Sequence, residues 1–259
     1  MKSKLAVVKI GGNVIEDKAE LSRFLSLFAK MEGPKILVHG GGKKATQILK
    51  KLGMTPKMAG GRRITDAESL EVVTMVYGGL TNKTIVAQLQ ALACNAIGLS
   101  GADADAIRAH QRPVKEIDYG FAGDVDIVNV NSISNLLNSG FVPVFCALTH
   151  NGEGQLLNTN ADTIASEIAI GMGHSFETTL YYCFEKKGVL LDMADDNSVI
   201  KTIDSKTYME IREKDIISEG MLPKLENCFH ALQKNVHKVC IGDISMIDSE
   251  SKLFTTLTL

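Results

Sequence analysis

The chain has 259 residues, enough for one large α/β domain or for two lobes sharing a sheet. Hydrophobic residues make up 45% and charged residues 22%, and the net charge is −2, so the composition is globular and presents no overall basic field to a nucleic acid. Aromatics are only 5% and Trp is absent, which argues against a base-stacking platform.

The N-terminus, Met1-Lys2-Ser3-Lys4, runs directly into the apolar stretch Leu5 to Ile10. That stretch is too short for a signal-peptide core and carries Lys9, so a cytoplasmic location is expected. It reads as a buried parallel strand closed by Gly11-Gly12. Ala19 to Met31 has helical periodicity. Lys35 to Val38 is a second strand, closed by His39-Gly40-Gly41-Gly42, and a helix through Ala45, Ile48, Leu49 and Leu52 follows. Glu68 to Cys94 is a long helical stretch, and Asn95 to Leu99 is a strand. Arg108 to Val130 alternates around Asp118-Tyr119-Gly120, which predicts a hairpin outside the main sheet. Val142 to Ala147 is a strand, Asn160 to Met172 a helix, and Thr179 to Cys183 and Val189 to Leu191 short strands. Helices near Ser205 to Lys214 and Pro223 to Lys234 precede a last strand, His237 to Ile241. Strand, glycine turn and helix recur, as in a sheet with helical crossovers whose ligands bind at the strand C-termini. No segment reaches the ~20 apolar residues of a membrane span. The five cysteines, Cys94, Cys146, Cys183, Cys228 and Cys240, are widely spaced and odd in number. They suggest buried free thiols rather than zinc ligands or disulfides.

Five segments could carry chemistry. Lys9 ends a buried strand beside Gly11 and Gly12, whose N–H groups can approach a phosphate; a lysine snorkelling out before a plain turn is the alternative. His39-Gly40-Gly41-Gly42 places three glycines at a helix start without the GK[ST] ending of a Walker loop, and also fits a simple tight turn. Gly60-Gly61-Arg62-Arg63-Ile64-Thr65 offers an arginine clamp for a carboxylate, or two solvated charges. Asn158-Thr159-Asn160-Ala161-Asp162 clusters amides and a carboxylate at a helix start, where capping by Asn160 or Thr159 accounts for one of them. Gly220-Met221-Leu222-Pro223-Lys224 sets a cation at a helix N-terminus, against the helix dipole unless an anion lies between.

The order of these segments is more specific than any one of them. KIGG at 9–12, HGGG at 39–42, GGRRIT at 60–65, Thr81-Asn82-Lys83, GQLLNTNAD at 154–162 and EGMLPK at 219–224 resemble the acetylglutamate kinases of the amino-acid kinase family, from about residue 5 to residue 235. The resemblance implies an open three-layer αβα sandwich around a mainly parallel sheet of about eight strands. It implies an N-terminal lobe, about 1–174, for the acyl amino acid and dimerisation, and a C-terminal lobe, about 175–259, for the nucleotide. The implied reaction moves the γ-phosphate of ATP to the side-chain carboxylate of N-acetyl-L-glutamate, in arginine biosynthesis. N-succinyl-L-glutamate or another N-acyl glutamate is the alternative substrate, and a non-catalytic regulatory subunit the second alternative. The GGRRIT and NTNAD segments argue against a carbamate or aspartate kinase.

Position by position, the resemblance implies that Lys9 and Lys224 neutralise the phosphoryl group and that Asp162 orients them. Gly11 and Gly12 would meet phosphates, and Gly41, Gly42, Arg63, Asn158 and Asn160 the acylated amino acid. The adenosine would rest near Lys186, Lys187, Gly188, Ile216, Ile217 and Ser218. ATP and Mg²⁺ are implied, the metal carried by the ATP phosphates rather than by the protein. Two segments depart from the family pattern. Cys183-Phe184-Glu185-Lys186-Lys187-Gly188 stands where Ser/Thr-Asp-Val-x-Gly is usual, and the chain ends Phe254-Thr255-Thr256-Leu257-Thr258-Leu259 rather than in a GxGT stretch. A homodimer is expected through the helix Glu68 to Cys94, whose Leu70, Val73, Val76, Leu80, Ile85 and Leu89 suggest more apolar surface than one lobe covers. Insensitivity to L-arginine is expected from a start almost at the first strand.

Overall fold

The computed structural model describes all residues except Met1, Met193, 214–221, Ser249 and Lys252, and only the backbone of Glu213 and Pro223. Eight strands form the central sheet: β1 (Lys4–Ile10), β2 (Lys35–His39), β3 (Ala96–Leu99), β4 (Val142–Cys146), β5 (Glu177–Cys183), β6 (Thr202–Ile203), β7 (Lys238–Gly242) and β8 (Thr255–Leu257). Their order is β6-β8-β7-β5-β1-β2-β4-β3, and every neighbouring pair is parallel except β7 and β8. The central strands are apolar on both faces because helices cover both.

Alternation along β1 decides which side chain meets which helix. Leu5 and Val7 point to the face shared with Ile36, Val38, Leu180 and Tyr182. That face is covered by the helix Ala161–Met172, through Ile164, Ala165 and Ile168, and by the helix Leu222–Gln233, through Leu225, Cys228 and Phe229. Val8, Ile10 and Leu37 point the other way, onto the helix Lys18–Lys30, through Phe24, Leu25 and Phe28, and onto Ile85 and Leu89. The result is the three-layer αβα sandwich that the resemblance implied.

The hairpin expected within 108–130 lies outside this sheet. Ile107–Gln111 and Gly123–Val128 pair antiparallel in a second, four-stranded sheet with Leu148–His150 and Leu156–Asn158. Three readings need correction. The expected strand at Val189 to Leu191 is a single bridge, Leu190 to Val199. A helix, Val130–Asn138, follows the hairpin, its start capped by Asn129 accepting from the Ser132 N–H. The long helix is three pieces: Ala67–Thr74, a π-helical stretch Met75–Thr81, and Asn82–Ala91. Leu70, Val73, Val76, Ile85 and Leu89 are buried within the chain itself, so they supply no free surface. The helix can hide them because its first half feeds a core with Ala45, Leu49 and Cys146, while its second half feeds the core under β1. Leu80 stays 49% exposed and Met75 60%. All five cysteines are buried and free.

Candidate active site

Lys9 shares its β1 face with Leu5 and Val7, so its side chain leaves the strand toward the helix Ala161–Met172. There its Nζ lies 2.7 Å from Oδ1 of Asp162. The lysine is almost buried and the carboxylate one-third exposed. An ammonium in that position needs a fixed anionic partner, and Asp162 provides it. Asn160 caps the helix, its Oδ1 accepting from the N–H groups of Asp162 and Thr163, which fixes the first turn and with it the carboxylate. On the neighbouring strand β5, Tyr182 stands beside Lys9 in register and donates its hydroxyl to the Asp162 carbonyl at 3.1 Å. Burial holds the Tyr182 phenol well above its usual pKa, so it stays a donor. Phe184, two residues on and on the same face, stacks on Tyr182. Lys224, from the helix Leu222–Gln233, lies with its Nζ 4.3 Å from the centre of the Phe184 ring.

Two cavities flank this cluster. One, of about 200 Å³, is lined by Gly40, Gly41, Gly42, Arg62, Arg63, Tyr77, Arg112, Asn158, Asn160 and Ala161, among others. Arg63 is its principal cation. It is buried, and its Nη2 donates to the Gly42 carbonyl (2.9 Å) and to Thr46 (2.7 Å). Among the described residues its Nε and Nη1 have no hydrogen-bond partner. A buried guanidinium with idle donors beside a cavity is arranged for an anionic guest. Asn158 is oriented by donating from Nδ2 to Thr65 Oγ1 at 2.9 Å, which leaves its carbonyl oxygen for other use. Tyr77, from the π-helical stretch, presses its ring on the glycine loop. A Cβ at Gly41 would sit 2.6 Å from Tyr77 Cδ1, so only glycine permits that approach.

The second cavity, of about 340 Å³, is lined by Gly11, Gly12, Asn13, Val14, Lys43, Cys183, Phe184, Glu185, Lys186, Gly188, Lys224 and Ile241. The chain links the two cavities through the ion pair: Asp162 follows Ala161 of the first, and Lys9 precedes Gly11 of the second.

His39 takes no part. It points to the opposite face of the sheet and is fully buried, its Nδ1 against the Gly40 carbonyl (2.7 Å) and its Nε2 accepting from Asn82 Nδ2 (3.0 Å). Burial is the main reason its pKa falls to about 4, so the ring is neutral. Asn82 also donates to the Val144 carbonyl, and Lys83 to the Gly98 carbonyl. The Thr81-Asn82-Lys83 segment thus ties β2, β3 and β4 together behind the glycine loop.

Gly11, Gly12 and Lys224 line the second cavity, Gly41, Gly42, Arg63, Asn158 and Asn160 line the first, and Lys9 and Asp162 pair with each other next to residues of both without lining either. Asn160 spends its side chain on the cap. Lys186 and Gly188 line the second cavity, with Lys186 Nζ 2.7 Å from Asp196. Lys187 instead reaches Asn197 at 3.3 Å. Ile216, Ile217 and Ser218 lie outside the described residues. Sequence reasoning missed Lys43, Thr65, Tyr77, Arg112 and Phe184. Lys43, next to three glycines at a helix start, carried a signal; an aromatic in mid-helix or after a strand carried none beyond packing.

The model of the amino acid kinase family matches residues 4–243. The chain belongs to the amino acid kinase family. Acetylglutamate kinase of Bacteroides fragilis is 54% identical over 250 residues, covering 96% of each chain. That of Phocaeicola vulgatus is 53% identical over 251 residues, 97% of this chain and 98% of the relative. In fold, this kinase resembles the carbamate kinase from Giardia lamblia bound to AMP-PNP, with a TM-score of 0.73 at 13% identity, covering 99% of this chain and 98% of that one.

Proposed function

We propose that this kinase transfers the γ-phosphoryl group of ATP to the side-chain carboxylate of N-acetyl-L-glutamate, giving an acyl phosphate for arginine biosynthesis. The two relatives of 54% and 53% identity, both acetylglutamate kinases, support the reading. The observation that carries it is Arg63, a buried cation with idle Nε and Nη1 donors on one cavity, while Lys224, Gly11 and Gly12 line a second. That arrangement suits a small carboxylate substrate on one side and a nucleotide on the other.

A carboxylate needs no base to become a nucleophile, so the work lies in in-line placement and charge neutralisation. The carboxylate oxygen attacks the γ-phosphorus, the bond from that phosphorus to the bridging oxygen breaks, and ADP leaves with the electron pair. Lys9 and Lys224 neutralise the oxygens of the transferring group, and Asp162 keeps Lys9 aimed. Gly11 and Gly12 offer backbone N–H groups to the phosphates. Arg63 and Asn158 take the α-carboxylate while Gly41 and Gly42 lie along the substrate, and Lys186 and Gly188 border the adenosine. Among the described residues no group of three or more His, Cys, Asp or Glu is placed to hold a metal. In this reading Mg²⁺ would come on the ATP phosphates and supply charge neutralisation there. The reading assigns the acyl amino acid to a lobe of about 1–174 and the nucleotide to about 175–259, in a cytoplasmic homodimer.

Purified protein should be assayed for ADP release with N-acetyl- and N-succinyl-L-glutamate side by side. Turnover with the acetyl substrate is expected. Turnover with the succinyl substrate alone would overturn the acyl assignment, and none with either would overturn the reaction.

A further inference from the structure

Phe184 occupies a position where charge, packing and register converge. It continues the face of β5 that carries Leu180 and Tyr182, and Tyr182 is paired in register with Lys9. Its ring therefore lies just past the ammonium end of Lys9, whose Nζ is 5.9 Å from the ring centre. The Lys224 Nζ lies 4.3 Å from the same centre. Two ammonium groups, one from β1 and one from the helix Leu222–Gln233 that covers the same face of the sheet, thus meet over one aromatic ring. The ring itself is held: it stacks on Tyr182 with centroids 6.0 Å apart and planes 18° from parallel, and Tyr182 is anchored to the Asp162 carbonyl.

The two lysines differ in how firmly they are placed. Lys9 is almost buried and paired with Asp162. Lys224 is exposed, sits in the first turn of its helix where the dipole repels a cation, and carries a flexible four-carbon stem. The negative face of an aromatic ring attracts an ammonium within about 6 Å, and both Nζ atoms fall inside that range. We infer that Phe184 is a positioning residue for phosphoryl transfer, its ring holding the Lys224 ammonium beside Lys9 so that both cations face the γ-phosphoryl group together. This rests on the reading that those lysines neutralise that group. Phe184 also lines the nucleotide-side cavity, so the competing role is stacking on the base.

The variants Phe184→Leu, Phe184→Tyr and Lys224→Ala, with the double variant Phe184→Leu/Lys224→Ala, separate these roles in steady-state assays with ATP and N-acetyl-L-glutamate. Phe184→Leu keeps an apolar filler and removes the ring face, so kcat should fall at least tenfold while KM for ATP stays within about threefold. Phe184→Tyr keeps the ring face and should restore kcat to within about threefold. Because the ring acts through Lys224, Phe184→Leu should cost little further kcat in the Lys224→Ala background. Ring-fluorinated phenylalanines at 184, which weaken the ring's negative face without changing packing, should lower kcat stepwise, and they serve if the leucine variant does not fold. A rise in KM for ATP with unchanged kcat would overturn the inference in favour of base stacking. Equal kcat in the Leu and Tyr variants, or a flat response to fluorination, would also overturn it. If Lys224→Ala itself leaves kcat unchanged, the failure belongs to the lysine assignment; if Lys224→Ala is slow and Phe184→Leu is not, it belongs to Phe184 alone.

Discussion

A lysine beside a transferring phosphoryl group acts mainly when charge builds on the oxygens, so its loss should appear in kcat rather than in ground-state affinity. Lys224→Ala should therefore lower kcat by well over tenfold with little change in KM for the acylated glutamate. A kcat within ~3-fold of wild type, under ~0.7 kcal/mol, would remove Lys224 from the mechanism. Arg63 should behave in the opposite way. Its idle Nε and Nη1 serve the far end of the substrate, which is held alike in ground and transition states. Arg63→Ala should raise KM for the amino acid by tenfold or more, with KM for ATP nearly unchanged. Part of that effect will come from the lost bonds to Gly42 and Thr46, so Thr46→Val, which breaks one support and spares the guanidinium, should raise the same KM more modestly. An unchanged KM in Arg63→Ala would mean the cavity binds its substrate by other groups. At this scale Lys9 was legible because a cation ending a buried strand needs an anion, whereas Asp162 as its partner, and Arg63 rather than Arg62, were legible only through the ordered motifs that resemble the family; the structure buries Arg63 and exposes Arg62. Phe184 was visible only as a departure from a family pattern, because one aromatic after a strand reads as packing.

Apolar runs and glycine turns made six of the eight sheet strands readable, and helical periodicity the helix Ala161–Met172; the short strands β6 and β8 at one side of the sheet carried no such run. Periodicity failed where winding changes. The π-helical turn Met75–Thr81 preserves the apolar character of a helix but shifts its phase, so Tyr77 could not be placed at Gly41 from spacing alone. The helix Val130–Asn138 went unread although Asn129, its cap, marks its start. The His39–Asn82 connection between elements has a pH signature. Unfolded His39 titrates near 6.5 and the buried, neutral folded form near 4. Between those values the unfolded chain binds a proton that the folded one does not, so stability present above 6.5 is lost as pH falls toward 4. The full effect is on the order of 3 kcal/mol at 1.36 kcal/mol per pKa unit. Urea melts of wild type and His39→Gln at pH 7 and pH 4.5 should show the wild type losing more stability on acidification than the variant. An equal loss in both would show that His39 is not held neutral.

The whole molecule buries most of the large apolar side chains of its long helix within itself and leaves Met75, Leu80 and Leu92 exposed. Met75 opens the π-helical stretch and Leu80 lies within it five residues on, so i→i+5 winding sets them near one face. Both are exposed, and Leu80 also borders a cavity of about 390 Å³ shared with Ile15, Leu21 and Ile85. Gly79, with open space where its side chain would be, lets another backbone come close beside them. The hollow is also lined by Glu16, Lys18, Lys44, Thr84 and Gln88, so an exposed apolar pair beside a mixed hollow can meet its own copy across a twofold axis, apolar against apolar and charged groups at the rim. Burial of such surface is worth roughly 25 cal/mol per Å² before association costs. We therefore expect a homodimer at micromolar protein, and we place its contact at Leu80 rather than at the buried Leu70, Val73 and Val76. Leu80→Lys adds a charge to an exposed site, so it should shift the mass to that of a monomer in light scattering while leaving the melting temperature of the monomer fold close to that of wild type. A wild-type monomer would refute the dimer, and a Leu80→Lys dimer would place the interface elsewhere on the surface.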